Sequence, residues 1–190
     1  MLGFTEFLEF LNAYAADYPE IEKIKAVYLK AAKATCDFYI KNTASDGIPY
    51  WDTGAPNIHK LGDYTERLSD PYNEFEPIDS SAAAIGAQGL LRLGKLLEKS
   101  ESALADTYTK AGLTSFKTLL SDTYLAIEPE HQGILKHTVY HWPNKWDHVP
   151  DGMKIPANEA CMWGDYHMVE LALTVQRLAE GKYYTFFDTF

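Results

Sequence analysis

Three short segments place aspartate and aromatic side chains beside turns or helix starts, where such side chains can reach a ligand. They are Gly47-Ile-Pro-Tyr-Trp-Asp52, Asp79-Ser-Ser-Ala-Ala-Ala-Ile85 and Trp163-Gly-Asp-Tyr166. Aromatic faces stack on sugar rings, and carboxylates hydrogen-bond to sugar hydroxyls or transfer protons. The combination is typical of a carbohydrate cleft between helices.

Asp52, Asp79 and Asp165 are the candidates for a catalytic acid, together with Asp147. Each stands beside aromatic residues, and burial against aromatic rings raises the pKa of a carboxyl group. A structural role is the alternative for all of them. Asp79 would cap a helix, Asp165 would hydrogen-bond near a helix start, and Asp52 would hold its loop. Caps are far commoner than catalytic acids, so the structural alternative is favoured.

Aromatic and imidazole side chains of the segment after residue 136 are candidates for binding sugar. His137 and His141 flank Tyr140, and Trp142 follows directly. On a strand the two histidines would share a face but lie roughly 13 Å apart at the backbone, which argues against a shared metal ion. We therefore expect no metal site and no cofactor. Trp163, at a helix start, is the strongest candidate for lining the cleft.

Hydrophobic periodicity predicts an all-α chain in which helices form antiparallel pairs. One stripe on the second helix, for example, carries Ile21, Ile24, Tyr28, Ala31, Thr35 and Phe38. A proline at position 19 is well placed for the first turn of that helix. The last helix is apolar nearly all round at its centre, which predicts burial. Helices are expected over about 4–15, 20–41, 79–98, 103–123 and 159–179.

Two other stretches are predicted to be non-helical. Residues 42–78 are rich in Gly, Pro, Asp and Asn, and so long a connection is uncommon unless it has a function. Residues 133–140 alternate and are β-branched, which predicts a strand over this stretch, within a short β segment near 133–141. No separate second domain is indicated, so residues 1–190 form one predicted domain.

The balance of charge excludes several partners. The 190 residues carry 27 acidic against 17 basic side chains, a net charge of −10. A field of this sign opposes binding to nucleic acid and to anionic membranes. It also opposes polyanionic uronate chains, so a uronate ligand would need local cations. The loop candidates are Lys60, Arg67, Lys136 and Lys145.

Targeting signals and cysteines give little further information about function. No segment approaches the ~20 apolar residues of a membrane span. The first ten residues contain acids and lack a basic region, unlike a signal peptide, which favours a soluble, cytoplasmic location over secretion. Cys36 and Cys161 stand among apolar residues outside any metal pattern and are predicted to be buried free thiols.

Four motifs in order resemble the unsaturated glucuronyl hydrolases, glycoside hydrolase family 88. That family carries D-G-[IV]-P-Y-W-D, D-[ST]-S-A-A-A, H-x-x-Y-H and W-G-D-Y. The matching stretches here are 46–52, 79–84, 137–141 and 163–166. The resemblance covers nearly the whole chain and corresponds to the C-terminal half of the family's pattern.

The resemblance implies a partial (α/α)6 barrel and a hydrolase that removes Δ4,5-unsaturated glucuronic acid from lyase-generated oligosaccharides. In the family an aspartic acid protonates the C4–C5 enol ether, and water adds at C5. The two aspartates that serve this work belong to the family's N-terminal half, as does an Arg-Gly-Gln-Ala-Trp segment that binds sugar. Tyr140 matches a tyrosine that contacts substrate. The resemblance thus implies that the isolated chain lacks the acid.

Two other interpretations stay open. One is a non-catalytic half-barrel, either structural or carbohydrate-binding. The other is an acidic helical interaction protein with no sugar role, which leaves the motif order unexplained. An open half-barrel would expose apolar helix faces. We therefore expect a homodimer or pairing with the N-terminal half of a barrel, with helix faces near the N-terminus buried.

Overall fold

The computed structural model describes residues 1–14 and 18–187 and contains five α-helices in these ranges. The predicted all-α class and number of helices are confirmed. Residue 15, where the first helix was predicted to end, lies outside the described residues. The helices are α1 (Leu2–Tyr14), α2 (Ile21–Lys41), α3 (Ser80–Leu97), α4 (Ser102–Leu119) and α5 (Met162–Ala179).

The helices form two layers. One row contains α1, α3 and α5, with α3 in the middle, and α2 and α4 pack behind it. Only residues 98–101 join α3 to α4, which makes this pair antiparallel. At the start of the row, the Trp163 indole N–H donates to the Ser81 hydroxyl, so α3 and α5 begin side by side. Leu2 lies beside Gly89 and Glu9 beside Arg92, so α1 also runs in the direction of α3. The three inner helices therefore run in one direction, as expected for a sector of an α/α barrel.

Close contact between α3 and α4 depends on small residues. A Cβ at Gly94 would lie 2.3 Å from the Thr109 hydroxyl oxygen, and one at Gly112 would lie 2.9 Å from Leu91. Two apolar clusters result. One surrounds Ile48, Leu91 and Leu171, and the other lies between α1, α2, α3 and α4. Both clusters include residues of α3, so this helix supports the whole sector.

The strand predicted over 133–140 is wrong. The described residues of this stretch contain only an isolated bridge between Leu125 and Leu135. The Asp165 carboxylate accepts hydrogen bonds from the amides of Ile134 and Leu135 at 2.9 Å. His137 then takes a left-handed backbone conformation, with φ of 64°. The alternating side chains are compatible with a strand. Aspartate side chains, however, accept hydrogen bonds from the backbone amides that would otherwise pair with a neighbouring strand.

Two further expectations about helices are corrected. α4 ends at Leu119 rather than near residue 123, because the chain turns through residues 120–125, where the Ser121 carbonyl accepts the amides of Tyr124 and Leu125. α5 begins at Met162 rather than near residue 159, and it is not buried all round. Val169 is 56% exposed. Its apolar side chain lies on a face of α5 that borders an open cavity, together with Ile134 and Tyr184.

A buried ionic cluster connects α1, α3 and the C-terminal segment. The Arg92 side chain is fully buried and lies 2.7 Å from the Glu9 carboxylate, which also accepts the Tyr183 hydroxyl. Arg92 donates to the Tyr184 carbonyl as well, and Tyr184 hydrogen-bonds to Glu170 on α5. Residues after α5 thus cross back over the inner row and link α5 to α1.

Burial sets the energetics of this cluster. It raises the pKa of Glu9, although the nearby Arg92 guanidinium acts in the opposite direction. A carboxylate taken out of water is costly unless it is paired and hydrogen-bonded. The cluster is therefore a point where one substitution leaves an uncompensated charge.

We expect Arg92→Met to lower the free energy of unfolding by about 3–5 kcal/mol, because Glu9 stays buried without its cation. Acidification should recover part of that loss, since a protonated Glu9 carries no charge to desolvate. Urea unfolding at pH 7 and pH 5 measures both effects. Arg177→Met is the control: Arg177 pairs with Glu180 at the surface, so its loss should stay within about 0.5 kcal/mol. Equal losses in the two variants would contradict this account.

Candidate functional site

Three aromatic side chains line an open cavity of about 380 Å³ at the start of α5. The Tyr140 ring lies 5.4 Å from the Trp163 ring and 5.8 Å from the Trp146 ring, measured between centroids. Tyr140 and Trp146 are exposed, so ring faces are available to a ligand. We call the group Tyr140, Trp146 and Trp163 the aromatic cleft.

Asp147 organises the loop side of the aromatic cleft. Its carboxylate accepts the backbone amides of Tyr140 and His141. The His141 ring in turn lies 5.0 Å from the Trp146 ring. This places the side chains of Tyr140, His141 and Trp146 together without any regular secondary structure.

Asp79 organises the side of the aromatic cleft that is formed by the starts of α3 and α5. It is the N-cap of α3, and its Oδ1 accepts the amides of Ser81 and Ala82, with the Val139 amide at 3.4 Å. The Ser81 hydroxyl donates to the same oxygen at 2.7 Å and accepts the Trp163 indole N–H at 3.2 Å. Burial raises the pKa of Asp79, against these hydrogen bonds, which lower it. A chain of contacts therefore runs from the cap of α3 to Trp163.

The other two acid candidates also hold backbone. Asp165 accepts the amides of Ile134 and Leu135, as described above, and Asp52 accepts the Gly54 amide at 2.6 Å. The segment 47–52 does not reach the aromatic cleft. Asp79, Asp165 and Asp52 thus hold backbone amides, which is the structural role expected for them. A catalytic role for any of the three stays a prediction.

The long connection of residues 42–78 is held by carboxylates that the sequence interpretation missed. Glu76, 1% exposed, accepts the Trp51 indole N–H at 2.7 Å and the Asn57 amide at 2.7 Å. Asp46 accepts both the amide and the hydroxyl of Ser69. A single acid in a Pro-rich loop gives no periodic signal, so only the tertiary structure identifies these contacts.

Two predicted substrate-binding residues lie apart from the aromatic cleft. His137 is 2% exposed, its ring packs edge-on against the rings of Tyr72 and Tyr124, and its Nδ1 accepts the Asn158 amide. Trp142 is half-buried in a short 3₁₀ turn, Trp142–Asn144, and does not line the cavity. Sugar contact by these two residues stays a prediction. Tyr140, His141 and Trp163, by contrast, are brought together.

The candidate cations also differ in whether they lie near the aromatic cleft. Lys136 is buried, pairs with Glu128 at 3.0 Å and donates to the Asp122 carbonyl. Lys60 lies over the Phe75 ring at 5.9 Å. Lys145 is exposed and lies in the 142–146 turn beside Trp146. Arg67 lies in the long connection, where its carbonyl accepts the Ser45 amide. Of the four predicted cations, Lys145 is therefore the one next to a residue of the aromatic cleft.

Cys36 is a buried free thiol and Cys161 a partly buried one. Burial raises the pKa of Cys36 to about 12. Across residues 1–14 and 18–187, no three His, Cys, Asp or Glu side chains converge as metal ligands would. Within the same ranges no helix combines the length and apolarity needed to cross a bilayer.

We expect Asp79→Ala to lower the free energy of unfolding by about 1–2 kcal/mol, because α3 loses its cap. Asp79→Asn keeps an acceptor at the same position and should cost clearly less. Urea unfolding compares the two variants. Equal losses in both variants would contradict a capping role.

Burial lowers the pKa of His137 to about 4. The unfolded chain binds this proton near pH 6.5, so the neutral ring stabilises the fold above that pH. As the pH falls from about 6.5 to about 4, this residue should cost the fold about 3 kcal/mol. Urea unfolding across that range measures the loss, and His137→Gln should flatten it. An NMR titration in which the His137 resonance shifts at pH 6.5 or above would contradict the prediction.

The curated proteins that this chain resembles are unsaturated glucuronyl hydrolases. No protein-family model matches the chain. It is 31% identical to the unsaturated glucuronyl hydrolase of Formosa agariphila over 154 residues, which are 80% of this chain and 31% of that protein. It is 28% identical to the enzyme of the same name from Bacillus sp. (strain GL1), over 82% of this chain and 35% of that protein. The chain thus spans about a third of the curated relatives that it matches.

Solved structures of unsaturated glucuronyl hydrolases have a fold similar to that of this chain. The unsaturated glucuronyl hydrolase of Bacillus sp. GL1, responsible for the degradation of glycosaminoglycan, superimposes with a TM-score of 0.65 at 24% identity, over 98% of this chain and 40% of that one. A UGL variant with dGlcA-Glc-Rha-Glc gives 0.64 at 25% identity, with the same coverage. The Streptococcus agalactiae enzyme gives 0.55 at 22%, over 80% and 32% of the two chains. The five helices therefore form a sector of an α/α barrel.

Proposed function

We propose, for a chain that is homologous to the unsaturated glucuronyl hydrolases over about 80% of its length, that its aromatic cleft forms part of a binding site for unsaturated uronyl oligosaccharides. The supporting observation is the joint position of Tyr140, Trp146 and Trp163 at the start of α5. Aromatic faces with polar groups at their edge are what a sugar-binding cleft requires.

Each residue of the cleft has a role in this proposal. Tyr140 and Trp163 offer ring faces, and His141 offers a hydrogen bond at the exposed edge. Lys145, in the neighbouring turn, supplies a positive charge near the uronate against the net charge of −10. Trp163 is fixed by Ser81 and Asp79, so it is preorganised before the ligand arrives.

We further propose that this chain contributes cleft wall and substrate contacts rather than the acid that protonates the enol ether. Asp79 and Asp165 each accept at least two backbone amides, and neither residue lines the cavity of the aromatic cleft, so both carboxylates are engaged in holding backbone. A general acid must instead hold and donate a proton. Hydrolysis would therefore need barrel elements beyond these five helices.

The reaction test uses the purified chain and a Δ4,5-unsaturated glucuronyl disaccharide, with the ultraviolet absorbance of the conjugated double bond as the signal. We expect no loss of absorbance from the chain alone. Loss of absorbance would place the acid within this chain, and Asp79→Asn, Asp165→Asn and Asp52→Asn would then identify it.

Binding is tested separately by tryptophan fluorescence and calorimetry with the same disaccharide. Stacking on a ring contributes on the order of 1 kcal/mol or more. We therefore expect Tyr140→Ala and Trp163→Ala each to weaken binding about fivefold to tenfold. Tyr18→Ala is the control, because Tyr18 is equally exposed before α2 and lies outside the cleft.

The same titration separates the alternatives. Binding without hydrolysis favours a carbohydrate-binding half-barrel, and the absence of binding at millimolar disaccharide would contradict the proposed site. Unchanged affinity in both cleft variants, with binding retained, would place the ligand elsewhere.

A further inference from the structure

Helix α2 has a positive charge, whereas the rest of the molecule is strongly acidic. Five of the 17 basic residues and two of the 27 acidic ones belong to α2. The helix therefore has a charge of +3, and the remainder of the chain has a charge of −13. A positive face on an otherwise acidic protein attracts an anionic partner, provided that the partner contacts this face alone.

Three of the five lysines lie in one line along α2. Lys23, Lys30 and Lys41 are exposed and are separated by seven and eleven residues, which are close to two and three helical turns. Their side chains therefore share one face of the helix. At 1.5 Å per residue, the line is about 27 Å long. We call these three lysines the basic stripe.

The acidic residues of α2 have partners within the protein. Glu22 pairs with Lys25 at 2.8 Å, and the Asp37 carboxylate accepts the Tyr108 hydroxyl of α4 at 2.7 Å. Among residues 1–14 and 18–187, by contrast, no carboxylate forms an ion pair with a lysine of the basic stripe. The positive charge of the stripe is thus available to a ligand.

Apolar side chains accompany the basic stripe. Val27 is 66% exposed and Phe38 is 56% exposed. Each lies three residues before a lysine of the stripe, Lys30 or Lys41, which is the spacing of neighbours on a helix surface. An aromatic face can stack on a sugar ring, while an ammonium group pairs with an anionic substituent of the ring. This combination suits a chain of anionic sugars.

The stripe points away from the inner row of helices. Ala32, which is fully buried, lies nine residues from Lys23 and nine from Lys41, or two and a half turns in each direction. The stripe is therefore on the side of α2 opposite its buried face. Because α2 belongs to the second layer, further barrel helices would lie beside it and would leave this outward face uncovered.

We propose that the basic stripe binds an anionic, uronate-containing glycan chain, at a site separate from the aromatic cleft. A linear chain can follow a line of about 27 Å and stay clear of the acidic remainder of the molecule. A nucleic acid duplex or a bilayer is broader, so its negative charge would approach the charge of −13 carried by that remainder. The choice of a uronate glycan rests on the proposed function, because lyase-generated uronyl oligosaccharides carry such groups.

The direction of α2 relates the stripe to the aromatic cleft. Lys33 pairs with Glu101, which lies beyond the end of α3, whereas a Cβ at Gly86, near the start of α3, would lie 2.8 Å from the Tyr39 ring. α2 therefore runs opposite to α3. The Lys41 end of the stripe lies at the same end of the sector as the cleft, which forms at the starts of α3 and α5.

Calorimetric titration of the full chain with a saturated galacturonate decasaccharide tests the site, since this glycan lacks the Δ4,5 double bond of the proposed cleft ligand. We expect binding at 50 mM NaCl that weakens severalfold at 300 mM, because salt screens exposed charges. Neutral maltodecaose should not bind. No binding of the galacturonate at millimolar concentration, or equal binding of the neutral glycan, would overturn the proposal.

Matched lysine substitutions locate the site. The stripe variant, which should raise the dissociation constant at least tenfold, combines Lys23→Gln, Lys30→Gln and Lys41→Gln. The control variant removes the same charge from exposed lysines outside α2 and should change the constant less than threefold; it combines Lys99→Gln, Lys110→Gln and Lys117→Gln. Circular dichroism checks that both variants are folded. Equal weakening in the two would show that only net charge matters, which contradicts a site on α2.

Cross-measurements separate the stripe from the aromatic cleft. The stripe variant should bind the Δ4,5-unsaturated disaccharide as the unmodified chain does. If the disaccharide fails to bind while the decasaccharide binds with the expected lysine dependence, the proposed function of the cleft fails and the stripe site stands. A loss of decasaccharide binding in Trp163→Ala as large as in the stripe variant would place this glycan in the cleft and contradict a separate site.

The same variants distinguish other polyanions. Vesicles that contain phosphatidylserine, and duplex DNA, are titrated under the same conditions and should bind at least tenfold more weakly than the decasaccharide. Binding of either that exceeds decasaccharide binding and depends on the basic stripe would assign the stripe to a lipid surface or to nucleic acid, and the glycan proposal would be wrong.

Discussion

The packing of α3 against every other helix is the constraint on which the rest of the structure depends. Small residues at its contacts leave no room for a Cβ at Gly94, so α3 and α4 lie in direct backbone contact. A buried helix must also satisfy its first amides, and Asp79 does so at the point where α3 meets the start of α5. The same carboxylate therefore caps the start of α3 and fixes the base of the aromatic cleft.

Carboxylates with backbone partners replace regular structure on the cleft side of the molecule. Asp147 and Asp165 each bind two amides of the segment that carries Tyr140, and Glu76 holds the long connection before α3. Charge-assisted hydrogen bonds of this type are stronger than neutral ones. They allow irregular loops to present aromatic side chains in fixed positions, which a ligand-binding surface requires.

The middle and the outer sides of the inner row differ in how their side chains are partnered. Near the middle of the row, Arg92, Glu9 and the residues after α5 form a buried ionic cluster that ties α5 back to α1. At the outer sides, Phe7 on α1 and Val169 on α5 remain exposed. A sector that is internally well connected but apolar at both sides is suited to be one part of a larger closed barrel.

The sequence by itself determined the helices, the cap at Asp79 and the order of the motifs, because these depend on local periodicity and on residues a few positions apart. It also offered Tyr140, His141 and Trp163 as candidates for sugar binding, together with His137 and Trp142, and only the tertiary structure separated the last two from the aromatic cleft. It predicted a strand over 133–140, and only the tertiary structure decided otherwise, because Asp165 binds the amides of Ile134 and Leu135 from about thirty positions along the chain. Likewise, the burial of His137 against Tyr72 and Tyr124, the burial of Arg92 and the exposure of Val169 follow from which distant segments pack around them, and no local pattern carries that information.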